Sequence, residues 1–87
     1  MKTVVVYRPN SEFARQVEDF SRDMKRQFAL DVELVSIDTL RGDQLARLYG
    51  IVRYPAVIVT RDSGELVQLW VDDNLPLMAE VAGYARS

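Results

Sequence analysis

Tyr49-Gly50-Ile51-Val52-Arg53-Tyr54-Pro55-Ala56-Val57-Ile58-Val59-Thr60 is the stretch whose reading decides the fold. Leu45, Leu48 and Tyr49 share one side of a short helix, and Gly50 stands where a left-handed C-cap is wanted. Pro55 then opens an uncharged, β-branched run, Ala56–Thr60, which reads as a strand. Arg61-Asp62-Ser63-Gly64 follows as a hairpin turn whose glycine supplies a positive φ, and Glu65–Val71 is its antiparallel partner, with Val67, Leu69 and Val71 expected on one face and Leu66, Gln68 and Trp70 on the other.

Upstream, Thr3–Tyr7 is a continuous apolar and aromatic run, the pattern of a strand covered on both faces. Arg8-Pro9-Asn10-Ser11 ends it, and Asn10 or Ser11 is expected to cap the next helix. Phe13, Val17, Phe20, Met24 and Phe28 fall at spacings of 4, 3, 4 and 4, one stripe of that helix. Asp31–Ile37 returns to strand character, and Asp38–Asp43 is expected to be a loop with capping residues. Downstream, Asp72-Asp73-Asn74 is expected to cap a last helix with Pro76 in its first turn and Leu77, Val81 and Tyr84 inward. The order is β-α-β-α-β-β-α. A right-handed crossover makes strands 1 and 2 parallel, and the short turn makes strands 3 and 4 antiparallel. Residues 1–87 are therefore expected to form a single α/β domain with a four-stranded mixed sheet and helices on both faces.

Composition excludes several function classes. There is no histidine and no cysteine among the 87 residues. Zinc clusters, Cys or His nucleophiles, disulfides, thiol redox chemistry and imidazole acid–base catalysis all lose their reactive groups. Eleven basic against thirteen acidic residues give a net charge of −2, without the basic surplus of a nucleic-acid binder. The N-terminus offers only a short apolar run after Lys2, below the roughly 7–15 residues of a secretory core or the ~20 of a membrane span. A cytoplasmic protein with no cofactor, metal, nucleic-acid or membrane partner is the expectation.

Tyr49-Gly50-Ile51 ahead of Pro55, the Asp62-Ser63-Gly64-Glu65 hairpin and the Asp/Asn-capped closing helix together resemble the thioredoxin-like superfamily, and the resemblance covers essentially the whole chain. It implies a minimal thioredoxin-like fold with strand order 2-1-3-4 and makes Tyr54–Pro55 the candidate cis bond. Tyr7-Arg8-Pro9-Asn10-Ser11-Glu12-Phe13-Ala14 is similar to the approach of glutaredoxins to their Cys-x-x-Cys motif. Here Ser11 falls at the first cysteine and Ala14 at the second. The redox reaction needs a thiolate of lowered pKa and a second thiol to resolve the mixed disulfide. Serine supplies neither.

By the same resemblance, three segments should meet at one end of the domain: Arg8, Asn10 and Ser11; Arg53, Tyr54 and Pro55; Asp72 and Asp73. One reading is a surface that takes a peptide or partner protein by strand addition beside the proline, with Val52, Arg53 and Tyr54 offering the backbone. The alternative is a degenerate glutathione-like site, with Arg8 and Arg53 facing an anion and Asp72 and Asp73 an amine. Trp70-Val71 replaces the Gly-Gly that glutaredoxins place before the acidic pair. The plain structural reading makes these arginines solvated loop charges and the aspartates helix caps. Glu12 is the one acid beside Ser11, and sequence neighbours on a helix point apart, so no acid–base pair is poised and no catalytic residue is assigned.

Overall fold

The run Thr3–Tyr7, extended by Lys2, becomes β1 (Lys2–Tyr7), which sits inside the sheet with strand partners on both sides. β2 (Val32–Ser36) pairs with it in parallel, Val5 opposite Leu34. β3 (Ala56–Thr60) pairs with its other side antiparallel, Val5 opposite Val57. β4 (Leu66–Val71) closes the sheet against β3, giving the order β2-β1-β3-β4. The helices are α1 (Ala14–Phe28), α2 (Leu40–Tyr49) and α3 (Met78–Ala85). The computed structural model describes residues 1–71 and 75–86.

Strand alternation divides the core into two layers. Val5, Val57 and Val59 face α1 and α3, meeting Val17, Phe20, Met24 and Val81. Val4, Val6, Ala56 and Ile58 face the α2 side, with Val35 and Ile51. All five residues of β3 are buried, which explains why that run reads so strongly as a strand. Met24 and Ile58 are the largest fully buried side chains. Burial of such a side chain is worth roughly 1.5–3 kcal/mol, so this double layer supplies most of the fold's driving force.

Four local expectations are corrected. Neither Asn10 nor Ser11 caps α1. The helix starts at Ala14, its N-cap is Phe13 in a right-handed conformation, and no side chain caps it. Ser11 instead closes a turn: its hydroxyl donates to the Arg8 carbonyl at 2.7 Å. Next, α2 begins at Leu40, inside the expected loop, because Thr39 caps it by accepting from the Gly42 N–H at 3.0 Å. On that helix Leu45 and Tyr49 pack inward, whereas Leu48 is exposed. The third correction concerns α3, which starts at Met78, so Pro76 and the exposed Leu77 precede it and only Val81 of the expected stripe is fully buried. The expected cap at residues 72–74 lies outside the described residues. Finally, the pairing of β3 with β4 shifts register between Val59 and Thr60. The extra residue moves Val67 onto the α1/α3 side with Trp70, away from Leu69 and Val71.

Candidate functional site

The antiparallel pairing of β1 with β3 sets Val6 opposite Ala56. The chain leaving β1 and the chain entering β3 are therefore neighbours at one end of the sheet. Between them lies a cleft of about 500 Å³, with Arg8, Ser11, Glu12 and Phe13 on one wall and Val52 to Pro55 on the other. This size falls within the range of roughly 300–1,000 Å³ usual for ligand pockets.

Each wall has a local cause. Ser11 locks the first loop, since its N–H and its hydroxyl both donate to the Arg8 carbonyl while its own carbonyl accepts from the Ala14 N–H at 3.2 Å. The hydroxyl is thereby committed to the backbone. The second loop begins where Gly50 ends α2 with φ 65°, and Ile51 turns inward, its N–H donating to the Ala46 carbonyl. Pro55 is buried, and the Tyr54–Pro55 peptide bond is cis. Arg8 bridges the walls, its guanidinium carbon lying 5.5 Å from the centroid of the Tyr54 ring. An exposed cation–π contact of this kind is worth about 0.5–1 kcal/mol.

Of the sites expected from sequence, Arg8, Ser11, Arg53, Tyr54 and Pro55 meet in this cleft. Asn10 is exposed and lines a shallower neighbouring hollow of about 300 Å³ with Arg8, Ser11 and Asp38. Ala14 is half-buried at the first turn of α1. Asp72 and Asp73 lie outside the described residues, although Val71 pairs with Ala56, next to Pro55. Val52, expected with Arg53 and Tyr54 to offer backbone beside the proline, is 83% exposed on the cleft wall. Sequence reasoning missed Phe13, whose helical spacing marked it as core.

Charge is distributed unevenly. Among the described residues, Arg22, Lys25, Arg26, Arg41, Arg47 and Arg61 lie within ion-pair distance of carboxylates, whereas Lys2, Arg8, Arg15, Arg53 and Arg86 do not. Of those five, Arg8 and Arg53 line the cleft. Glu12 adds one carboxylate to the same cleft. The main chain of Val52, Arg53 and Tyr54 makes no hydrogen bond with another described residue. Away from the cleft, Glu33 on β2 accepts from Arg41 on α2, and that hydrogen bond, opposed by burial, holds the Glu33 carboxyl below its ordinary value of 4.5. Among the described residues no group of three or more ligating side chains is positioned for a metal ion, and no helix is long and apolar enough to cross a membrane.

No family model matches the sequence, and no curated protein matches it. Fourteen chains of solved structures do match. One is thioredoxin 1 from the thermophilic eubacterium Thermosipho africanus TCF52B, which superposes with a TM-score of 0.69 over 99% of this chain and 91% of that one at 13% identity. The fold is thioredoxin-like, in the minimal β-α-β-α-β-β-α form. With no cysteine, these residues supply no thiol for thiol–disulfide exchange.

Proposed function

We propose that this chain is a redox-inactive binding module that takes an extended peptide, or an extended segment of a partner protein, in the cleft between Arg8–Phe13 and Val52–Pro55. The observation that carries the reading is the unpaired main chain of Val52, Arg53 and Tyr54 on the cleft wall. Free N–H and C=O groups in a row add an incoming strand through its backbone, while neighbouring pockets select side chains. Val52 and Phe13 offer an apolar contact beside that ladder, and Arg53 a charge. We read the module as non-enzymatic, since the Ser11 hydroxyl is committed to the Arg8 carbonyl and does not hydrogen-bond the Glu12 carboxylate beside it. We place the module in the cytoplasm, and its net charge of −2, which gives no attraction to a polyanion, argues against nucleic-acid partners.

A second reading is favoured by the two arginines of the cleft, neither paired with a carboxylate among the described residues: a small anionic ligand, glutathione-like in its carboxylates, held between Arg8 and Arg53. Panning a random peptide display library, followed by two-dimensional NMR of the labelled protein, tests the first reading. Enriched peptides should shift amides at residues 8–13 and 52–55, and Val52→Asp should abolish the shifts without unfolding the chain. Shifts that map elsewhere, or no enrichment over a blank surface, refute it. Titration with reduced glutathione at low and moderate salt tests the second; no shift at millimolar ligand removes it.

A further inference from the structure

The β4 side of the sheet ends in Leu66-Val67-Gln68-Leu69-Trp70-Val71, a strand without a charge, a proline or a glycine. Its one strand neighbour is β3. Leu69 shows which backbone groups face outward: its N–H donates to the side-chain Oε1 of Gln68 at 2.9 Å, not across to β3. By strand alternation Val71 faces the same way. Among the described residues no segment is hydrogen-bonded along this outer side.

The opposite edge is guarded. β2 carries Glu33, tied to Arg41, and Asp31 just before it pairs with Lys25 at 2.9 Å. Charges of this sort block edge-to-edge pairing. On β4 the only comparable feature is the irregularity at Thr60 and Leu66, which twists the hairpin end and leaves Leu69–Val71 regular.

We infer that the β4 edge pairs with the β4 edge of a second copy of this chain, antiparallel about a two-fold axis, joining two four-stranded sheets into one. Geometry selects this occupant. With Leu69 and Val71 outward, the axis falls at Trp70, so Leu69 of each copy opposes Val71 of the other and Trp70 opposes Trp70. Within residues 69–71 each opposed pair is apolar, and cross-strand aromatic and aliphatic pairs are the favourable ones. An isologous contact needs a surface that matches itself, and an uncharged strand whose pairs repeat about its centre does so. Tyr84, 38% exposed, packs edge-on against Trp70 with ring centroids 5.5 Å apart and widens the apolar border of this edge. A net charge of −2 leaves little long-range repulsion between copies. One strand pair and its rings fall short of the roughly 1,200 Å² of a standard interface, so the dimer is weak and concentration-dependent.

Sedimentation equilibrium from about 5 μM to about 1 mM tests this, a span chosen for a weak complex. The weight-average mass should rise from 10.0 kDa toward twice that value. Leu69→Lys and Val71→Lys should each weaken association about tenfold, by placing a charge in the ladder. Because both side chains also pack on the α2-side core layer, each variant should melt lower than wild type while still unfolding cooperatively. Should either variant misfold, hydrogen exchange of the wild-type chain decides, because Leu69 and Val71 amides gain protection with concentration only if this edge pairs. A mass fixed at 10.0 kDa across the range, association undiminished in both folded variants, or concentration-dependent shifts confined to residues 8–13 and 52–55 would overturn the inference.

Discussion

Replacing Gly42 by alanine should destabilise this protein, although alanine is the better helix former by about 1 kcal/mol. Gly42 lies in the first turn of α2, pressed against the end of β2. A Cβ there would stand 2.0 Å from the Ser36 carbonyl oxygen, 2.8 Å from its carbon and 2.9 Å from the Ile37 Cα. All three are main-chain atoms, and ordinary contact begins near 3.4 Å, so the helix must withdraw by more than 1 Å. The Thr39 cap resists that movement, since its hydroxyl accepts from Gly42 and donates to the Ser36 carbonyl at 2.7 Å. Overpacking of this kind costs about 1–3 kcal/mol. A 2.0 Å approach to main chain puts the cost at the upper end of that range, so less the gain in propensity the net loss is about 2 kcal/mol, and each kcal/mol lowers Tm by roughly 4–8 °C in a domain of this size. Gly83→Ala in α3 is the matched control, because an added methyl there meets no described atom within 4 Å. It should raise stability by up to about 1 kcal/mol. Urea unfolding followed by circular dichroism reads both. A Gly42→Ala chain as stable as wild type would refute the close approach of α2 to β2. A further signature is expected at the cleft, because α2 leads directly into Gly50–Pro55: amides at 52–55 should shift in Gly42→Ala and stay in place in Gly83→Ala.

Arg53→Ala should weaken reduced-glutathione binding about tenfold at low salt, the loss of one charge-assisted contact. Peptide uptake through the main chain should change little, and NMR titration of both ligands separates the two. Trp70→Phe should cost about 1 kcal/mol, since it removes the indole N–H donated to Glu80 at 3.0 Å and trims the ring packed on Tyr84. Thermal melts of Trp70→Phe and Glu80→Gln should show a smaller effect for the latter, which keeps an acceptor. The Glu33–Arg41 pair should make stability depend on acid pH. Because its folded pKa is depressed below 4.5, its contribution is present above pH 4.5 and fades as pH falls through the folded value. Both side chains are about half exposed, so the effect is well under 1 kcal/mol and shrinks with salt. Melts of Glu33→Gln against wild type should differ at pH 6 and converge below the folded pKa; a gap that widens toward acid would reverse the sign.

Much of the frame was legible because β3 is buried on both faces and α1 on one. A run such as Ala56–Thr60 has few other uses, and the stripe from Val17 to Met24 is satisfied only by a helix on a sheet. Helix starts were less legible. Asn10 and Ser11 are good caps by chemistry, but a turn closed by the Ser11 hydroxyl took them first and delayed α1 to Ala14. Gly42 reads as a loop residue until a tight approach to Ser36 is known. The face assignment of Val67 failed because a register shift leaves no mark in the alternation of apolar residues. In the cleft, the arginines, Tyr54 and the backbone of Val52 to Tyr54 announced themselves, whereas Phe13 was hidden by its helical spacing, which matches a core stripe until α1 is seen to start at Ala14.

The opposed ends of β1 and β3 have one more consequence. Val6 and Ala56 are fully buried and backbone-paired, so the meeting of the two loops is decided beneath the surface, by atoms common to every amino acid. Residues at the loop tips inherit their positions and contribute little to creating them. Their identities can drift, or be redesigned in combination, with small penalty to folding. A chain built this way can lose one chemistry and acquire another while its frame stays intact, and selection on what it recognises acts almost independently of selection on whether it folds.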